Sequence, residues 1–292
     1  MLPGKLIVKF LRTFPEFAGS KVQGGVAMCT LIVLHRCVEG LGTVIAGNRD
    51  EYLDRPAEGP ALRRTPSGPI VAPLDLRAGG TWFGMNAHRV IVAVTNRPTK
   101  APDPERRSRG HVVIDALAAT SAVDAARILG SLPEGIHNPF NAFAADGDRA
   151  FSMVYEERSE IRELERGAHV IGNVDPDDRS NDKIAHVLDR ATGAAGKPFS
   201  EAVRGLRGLC REHRQGAVDG PLGSPCVHLD GYGTRSSFVV TLDPGPDHEA
   251  DQLLYAKGAP CETEHQDFTA LLSELTPRAG YGAGELYART GT

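Results

Sequence analysis

Cys29 follows Met28 and opens a run of branched apolar residues, Thr30-Leu31-Ile32-Val33; a second run ends in Ala46-Gly47-Asn48-Arg49-Asp50-Glu51. A cysteine that becomes the first residue of its chain carries its own general base. Its α-amine, with a reference pKa of about 7.7 to 8.0, lies beside a thiol of about 8.5, so modest perturbation poises both. Such a nucleophile still needs a cation to favour thiolate, a carboxylate to hold the amine, and donors for the oxyanion of a tetrahedral intermediate. Arg49 and Asp50 end the strand expected to pair with the Cys29 strand, which makes them the candidates for cation and amine holder. Taken singly, each has a plainer reading. Cys29 alone is a small buried hydrophobe, and Arg49 with Asp50 is a strand-end ion pair worth little.

Other chemistry finds less support. The ten histidines are dispersed, none at H-x-x-x-H spacing beside a carboxylate, so no catalytic metal is expected. The five cysteines, Cys29, Cys37, Cys210, Cys226 and Cys261, are odd in number and irregularly spaced, which suggests neither a disulfide framework nor a zinc site. Cys226-Val227-His228 reads as packing, because alternate residues of a strand face the same way by geometry alone. Asp75-Leu76-Arg77-Ala78-Gly79-Gly80 lacks the strand-turn-helix context of a phosphate cradle. No cofactor is expected.

The positioning elements follow from periodicity. Cys29 to Arg36 and Thr43 to Asn48 predict a hairpin about Glu39-Gly40-Leu41-Gly42. A loop is expected next, where Pro56, Pro60, Pro66, Pro69 and Pro73 break regular structure. Gly79 to Asn86 and Val90 to Asn96 predict a second hairpin. Residues 110 to 131 predict helices, with Ser121 capping the second. Strands are expected at Asn141 to Ala145, Ala150 to Tyr155, Glu160 to Leu164 and His169 to Asn173, as a meander. Helices follow at Asp182 to Ala191 and Ser200 to Cys210, the latter capped by Ser200. Strands at Arg235 to Leu242 and Gln252 to Ala256 and a helix at Gln266 to Leu275 complete the chain. Grouped strands with grouped helices predict an α+β architecture with antiparallel sheets.

Six ordered segments carry a resemblance. Met28-Cys29-Thr30-Leu31, Gly47-Asn48-Arg49-Asp50-Glu51, Ala78-Gly79-Gly80-Thr81-Trp82-Phe83-Gly84, Thr95-Asn96-Arg97-Pro98, Gly172-Asn173 and Tyr232-Gly233-Thr234-Arg235-Ser236-Ser237 resemble the NRDE family, also called the transport and Golgi organisation 2 family. That family is similar to N-terminal nucleophile (Ntn) hydrolases of the bile salt hydrolase and penicillin V acylase type. The resemblance implies a four-layer αββα sandwich of two antiparallel sheets flanked by helices. It also implies roles: Cys29 as nucleophile, Asp50 as amine partner, Arg49 at the active-site arginine, Asn96 and Asn173 as oxyanion donors, and Arg235 as the late arginine that polarises the site. In the acylases the spacing between arginine and aspartate is wider. On residue type alone, Asn96 and Asn173 are turn residues, and Arg235 equally suits a substrate carboxylate or phosphate. Trp82-Phe83 reads as core, and the resemblance puts it near the pocket.

The likeness covers residues 28 to 262. Residues 1 to 27 read either as a start called too early, with Met28 the initiator, or as a propeptide; residues 263 to 292 read as a C-terminal helix and tail. A net charge of -4 without a basic stripe argues against nucleic acid, and no apolar run approaches the roughly 20 residues of a membrane helix. The expectation is a cytoplasmic protein in a reducing compartment acting on a small molecule. Two classes of function fit: an Ntn-type cysteine hydrolase of a small amide, thioester or acyl conjugate, or a non-catalytic binder of a lipid, acyl-CoA or haem.

Overall fold

Leu31 and Val33 alternate with Ile32 and Leu34 along the first expected strand, and all four are buried, so this strand is covered on both faces. A computed structural model, which describes residues 29–245 and 247–275, shows by what. Residues 1 to 28 and 276 to 292, which hold the upstream segment and most of the expected tail, lie outside the described residues.

In chain order the strands β1 (Thr30–Val38), β2 (Leu41–Tyr52), β3 (Ala57–Thr65), β4 (Gly68–Asp75), β5 (Phe83–Asn86) and β6 (Ile91–Asn96) precede helices α1 (Arg109–Ala116) and α2 (Ala122–Gly130). Then come β7 (Phe140–Ala145), β8 (Ala150–Tyr155), β9 (Ser159–Glu163) and β10 (Gly167–Ile171), followed by α3 (Asp182–Thr192) and α4 (Phe199–Cys210). The chain continues with β11 (His228–Leu229), β12 (Tyr232–Leu242), β13 (Gln252–Ala256), β14 (Gln266–Asp267) and the short α5 (Ala270–Ser273).

The strands form two antiparallel sheets. One runs β10-β1-β2-β12-β13-β14, with β11 also on β12; the other runs β3-β4-β5-β6-β7-β8-β9. Side chains sort by pleat into three cores. Leu31, Val33, Ile45, Phe83, Ile91, Phe143 and Phe238 fill the space between the sheets, where Phe83 and Phe238 stack across the gap with centroids 3.9 Å apart. Gly47 leaves room there, since a Cβ would lie 2.7 Å from a Phe238 ring carbon and 2.8 Å from a Leu31 methyl, and those side chains would have to shift. The opposite face of the first sheet, with Ile32, Leu34, Val44 and Val239, packs on Ile184, Val187, Leu206 and Leu209 of α3 and α4. Val92, Phe140 and Ala142 of the second sheet pack on Val112, Val113 and Leu129 of α1 and α2. The layers are therefore αββα, the expected α+β sandwich.

Both early hairpins form where expected, and Ser121 Oγ accepts the Asp124 N–H as the cap of α2. Four local expectations fail. The proline-rich segment is not a loop but the hairpin β3–β4. The sheet tolerates it because β3 is an edge strand, a bulge falls between Glu58 and Ala61 around Pro60, and β5 pairs with β4 only at Ile70 and Val71, short of Pro73. The expected meander stops at β9, since β10 crosses to the other sheet and pairs with β1. Pro198, not Ser200, occupies the N-cap position of α4. The helix expected over Gln266 to Leu275 is a short strand followed by one turn.

Candidate active site

Thr30 pairs with Asn48, which brings Cys29 and Arg49 to the same end of the β1–β2 hairpin. Asn48, Arg49 and Asp50, which precede Glu51 and Tyr52 at the end of β2, alternate, with Asn48 and Asp50 on one face of the strand and Arg49 on the other. Asn48 Nδ2 donates to the carbonyls of Cys210 at 2.8 Å and Pro225 at 2.9 Å, fastening the end of α4 and the segment before β11 to the sheet. Arg49, buried, lays its guanidinium 4.4 Å from the centroid of Trp82 and 3.6 Å from Glu51 Oε2. Asp50 has no exposed surface. Its Oδ1 accepts from Thr234 Oγ1 at 2.6 Å, and its Oδ2 lies 3.7 Å from Lys183 Nζ.

Cys29 lines a pocket of about 80 Å³ together with Arg49, Trp82, Asn96 and Arg109. Burial pushes its thiol up to about 12, and the Asp50 carboxylate adds to this; Arg49 and a hydrogen bond from the Asp50 backbone N–H oppose it. Asp50 is itself raised to about 6 by burial, against the pull of Lys183 and Thr234. With Met28 attached, the nitrogen of Cys29 is an amide and the thiol stays protonated at neutral pH.

The remaining expected residues are arranged around this pocket rather than all within it. Asn96, at the end of β6, lines it directly. Asn173 touches it through Asn96: its Nδ2 donates to the Asn96 carbonyl at 2.5 Å, and its side chain borders a separate cavity with Thr30 and Lys183. Arg235 sits at a bulge in β12, where the register against β2 shifts between Thr234 and Ser236. Its Nη2 donates to the Arg55 carbonyl at 3.0 Å. It lines an adjoining cavity of about 270 Å³, which shares Arg49 and Trp82 with the Cys29 pocket and is walled further by Tyr232, Tyr255 and Lys257. Trp82 thus divides the two spaces, and its Nε1 has no hydrogen-bond partner among the described residues.

Three contributors escape the sequence reading. Lys183 is buried in the first turn of α3 beside Asp50; its signal is a lysine on the apolar stripe Lys183, Ile184, Val187, Leu188, Ala191. Thr234 is hidden by its ordinary β-branched character in a strand. Arg109 reaches the pocket because Gly80 and Gly110 meet backbone to backbone. Thr81 N–H donates to the Gly110 carbonyl at 3.1 Å, and a Cβ on Gly80 would lie 2.6 Å from the Gly110 carbonyl carbon. Gly80 therefore serves close packing of α1, while Gly79 takes the left-handed turn before it at φ +72°. Cys226 and His228, expected only to pack, stand beside Cys261 and His213 at the rim of the larger cavity.

The family model described as Transport and Golgi organisation 2 matches residues 28–248. A Transport and Golgi organization 2 homolog of Mus musculus is 35% identical over 108 residues, 35% of this chain and 38% of the relative. The Homo sapiens homolog is 32% identical over the same shares. The match thus spans well under half the length of these relatives. Among solved structures, the Caenorhabditis elegans N-acylethanolamine-hydrolyzing acid amidase ortholog superposes with a TM-score of 0.50 at 13% identity, over 76% of this chain and 96% of that one. At that identity the likeness is one of fold, and the fold is that of the Ntn hydrolases. With the family model running through Cys29, the Asn48-Arg49-Asp50 strand end and Arg235, this chain belongs to the Transport and Golgi organisation 2 family.

Proposed function

We propose that the protein is a cysteine Ntn-type hydrolase of a small amide, thioester or acyl conjugate, active when its chain begins at Cys29. The observation that carries this reading is that Cys29, Arg49 and Asn96 line one pocket, and that the buried Asp50 acts on the Cys29 thiol through its charge and its backbone N–H. In this reading the freed α-amine of Cys29 takes the thiol proton and the resulting ammonium is held by Asp50. The thiolate attacks the carbonyl carbon, and the oxyanion is met by Asn96, while Asn173 holds the Asn96 backbone in place. Collapse expels the amine or thiol leaving group, which takes the proton back from the ammonium. Water, deprotonated by the same amine, then cleaves the acyl-enzyme thioester, releasing the acid and restoring the thiol.

The neighbouring cavity supplies substrate room. Trp82, Tyr232 and Tyr255 offer apolar surface for an acyl group, while Arg235 and Lys257 offer charge to a polar or acidic end. The proposal includes the reducing, cytoplasmic setting expected from the cysteine pattern. Among the described residues, no helix is long and apolar enough to cross a membrane.

One observation favours a second reading. A thiol pushed up to about 12 is a poor nucleophile, so a chain that keeps Met28 would bind an acyl lipid, acyl-CoA or haem without turning it over. Intact mass combined with turnover separates the two readings. The hydrolase reading expects chains starting at Cys29 to cleave members of an acyl-amide and thioester panel, and Cys29→Ser to lose that cleavage. Unchanged turnover in Cys29→Ser would remove Cys29 from the chemistry.

A further inference from the structure

Outside the Cys29 pocket, four metal-ligating side chains converge from three separate segments. His213 follows α4, Cys226 lies just before β11 and His228 begins it, and Cys261 lies in the connection between β13 and β14. One ligand atom from each lies within 4.8 Å of the other three. Cys226 Sγ is 3.5 Å from Cys261 Sγ and 3.7 Å from His228 Nε2, and His228 Nε2 is 3.1 Å from Cys261 Sγ. Tetrahedral zinc, with bonds of about 2.3 Å to sulfur and 2.0 to 2.1 Å to nitrogen, sets its ligands about 3.3 to 3.8 Å apart. Three of the four are already near that spacing. The fourth, His213, is exposed, and its ring centroid is 5.2 Å from that of His228, so a change of rotamer brings it in.

We propose that His213, Cys226, His228 and Cys261 form a structural zinc site. Two thiolates and two imidazoles are one of the ligand sets of structural zinc sites, and two thiolates neutralise the charge of the ion. All four positions are filled by protein, which leaves no open position for catalysis and makes the role structural.

Its place in the fold gives the site a task. His228 and neighbouring Val227 wall the 270 Å³ cavity, as do Gly258 and Glu262 on either side of Cys261. Val227 N–H donates to Thr234 Oγ1 at 2.9 Å, and the same hydroxyl donates to Asp50 at 2.6 Å. Asn48 fastens the carbonyls of Cys210 and Pro225, so both segments that lead to ligands are anchored on the strand that carries Arg49 and Asp50. The metal would join the third segment, around Cys261, to these two and fix the rim of the cavity.

The test is a titration of the full, reduced chain with Co²⁺, then displacement by Zn²⁺, with metal content by elemental analysis. The expected result is about one metal per chain, with the visible bands of tetrahedral cobalt and a thiolate-to-metal charge-transfer band. Cys261→Ser should remove the charge transfer of one thiolate, and His213→Ala, exposed and safe for folding, should weaken binding at least about tenfold. Three results would overturn the proposal: no bound metal, an octahedral spectrum, or both variants binding metal as tightly as the wild-type chain. A fourth is a reduced chain that rapidly becomes lighter by two hydrogens with Cys226 joined to Cys261, even with Zn²⁺ present.

Discussion

Lys183 Nζ lies 3.7 Å from Asp50 Oδ2, both side chains are shut off from water, and neither atom has a hydrogen-bond partner among the described residues. Two buried charges at that separation attract strongly, yet their desolvation is met in part only by the Thr234 hydroxyl on the other carboxylate oxygen. The pair is thus electrostatically matched and short of donors and acceptors.

Removing the cation should be costly. Lys183→Met leaves Asp50 uncompensated and should destabilise the fold by about 3 to 5 kcal/mol in urea denaturation at neutral pH. Adding Asp50→Asn to that variant should recover much of the loss, because an amide needs no counter-charge. A double variant no more stable than Lys183→Met would show that the two side chains are not coupled.

The pH dependence has a definite sign. Asp50 is raised from 3.8 to about 6 on folding, so between those values the native state binds more protons than the unfolded state. Its contribution to stability is then greatest at low pH, is lost as pH rises from about 4 to about 6, and is constant above. Measured against Asp50→Asn, the wild-type chain should lose stability across that window. A difference that instead grows with pH would place Asp50 in a site that lowers its pKa.

Arg49→Lys keeps the charge and gives up the planar group over Trp82. A desolvated cation over an indole is worth about 2 kcal/mol, and an ammonium does not stack as a guanidinium does. Stability should fall by about 1 to 2 kcal/mol in the same denaturation assay, and the Trp82 emission should shift, since this is the one tryptophan of the chain.

Asn96→Ala should lower kcat by about 10² to 10³ with KM little changed, the signature of a donor that acts in the transition state. Steady-state kinetics on any cleaved member of the panel reads this directly. Asn173→Ala should act more weakly, because it meets the pocket through the Asn96 carbonyl.

The sequence made the first hairpin legible because branched residues, a glycine turn and the Asn48-Arg49-Asp50 end are all local. Cys29 and Arg49 could therefore be brought together on pairing alone; Asn96 ends the second hairpin, which is local too, but its part in the site was implied only by the family resemblance. The β3–β4 hairpin was hidden by prolines whose harmlessness depends on being at an edge or a bulge, which only the finished sheet defines. The crossing of β10 to β1 and the neighbourhood of His213, Cys226, His228 and Cys261 depend on contacts between distant segments. Lys183 carried a local signal, a charge on an apolar helical stripe, but what it faces is set by the packing of α3 on the first sheet. Thr234 had no such signal.

The central claim is that Cys29 becomes an N-terminal nucleophile. The direct measurement is mass spectrometry of the protein rapidly quenched with acyl-amide and thioester substrates, comparing chains that begin at Cys29 with chains that retain Met28. An acyl group on the Cys29 peptide, present only when Cys29 is first and absent in Cys29→Ala, is the predicted result. Equal turnover by the chain that retains Met28, or an adduct that survives in Cys29→Ala, would contradict it.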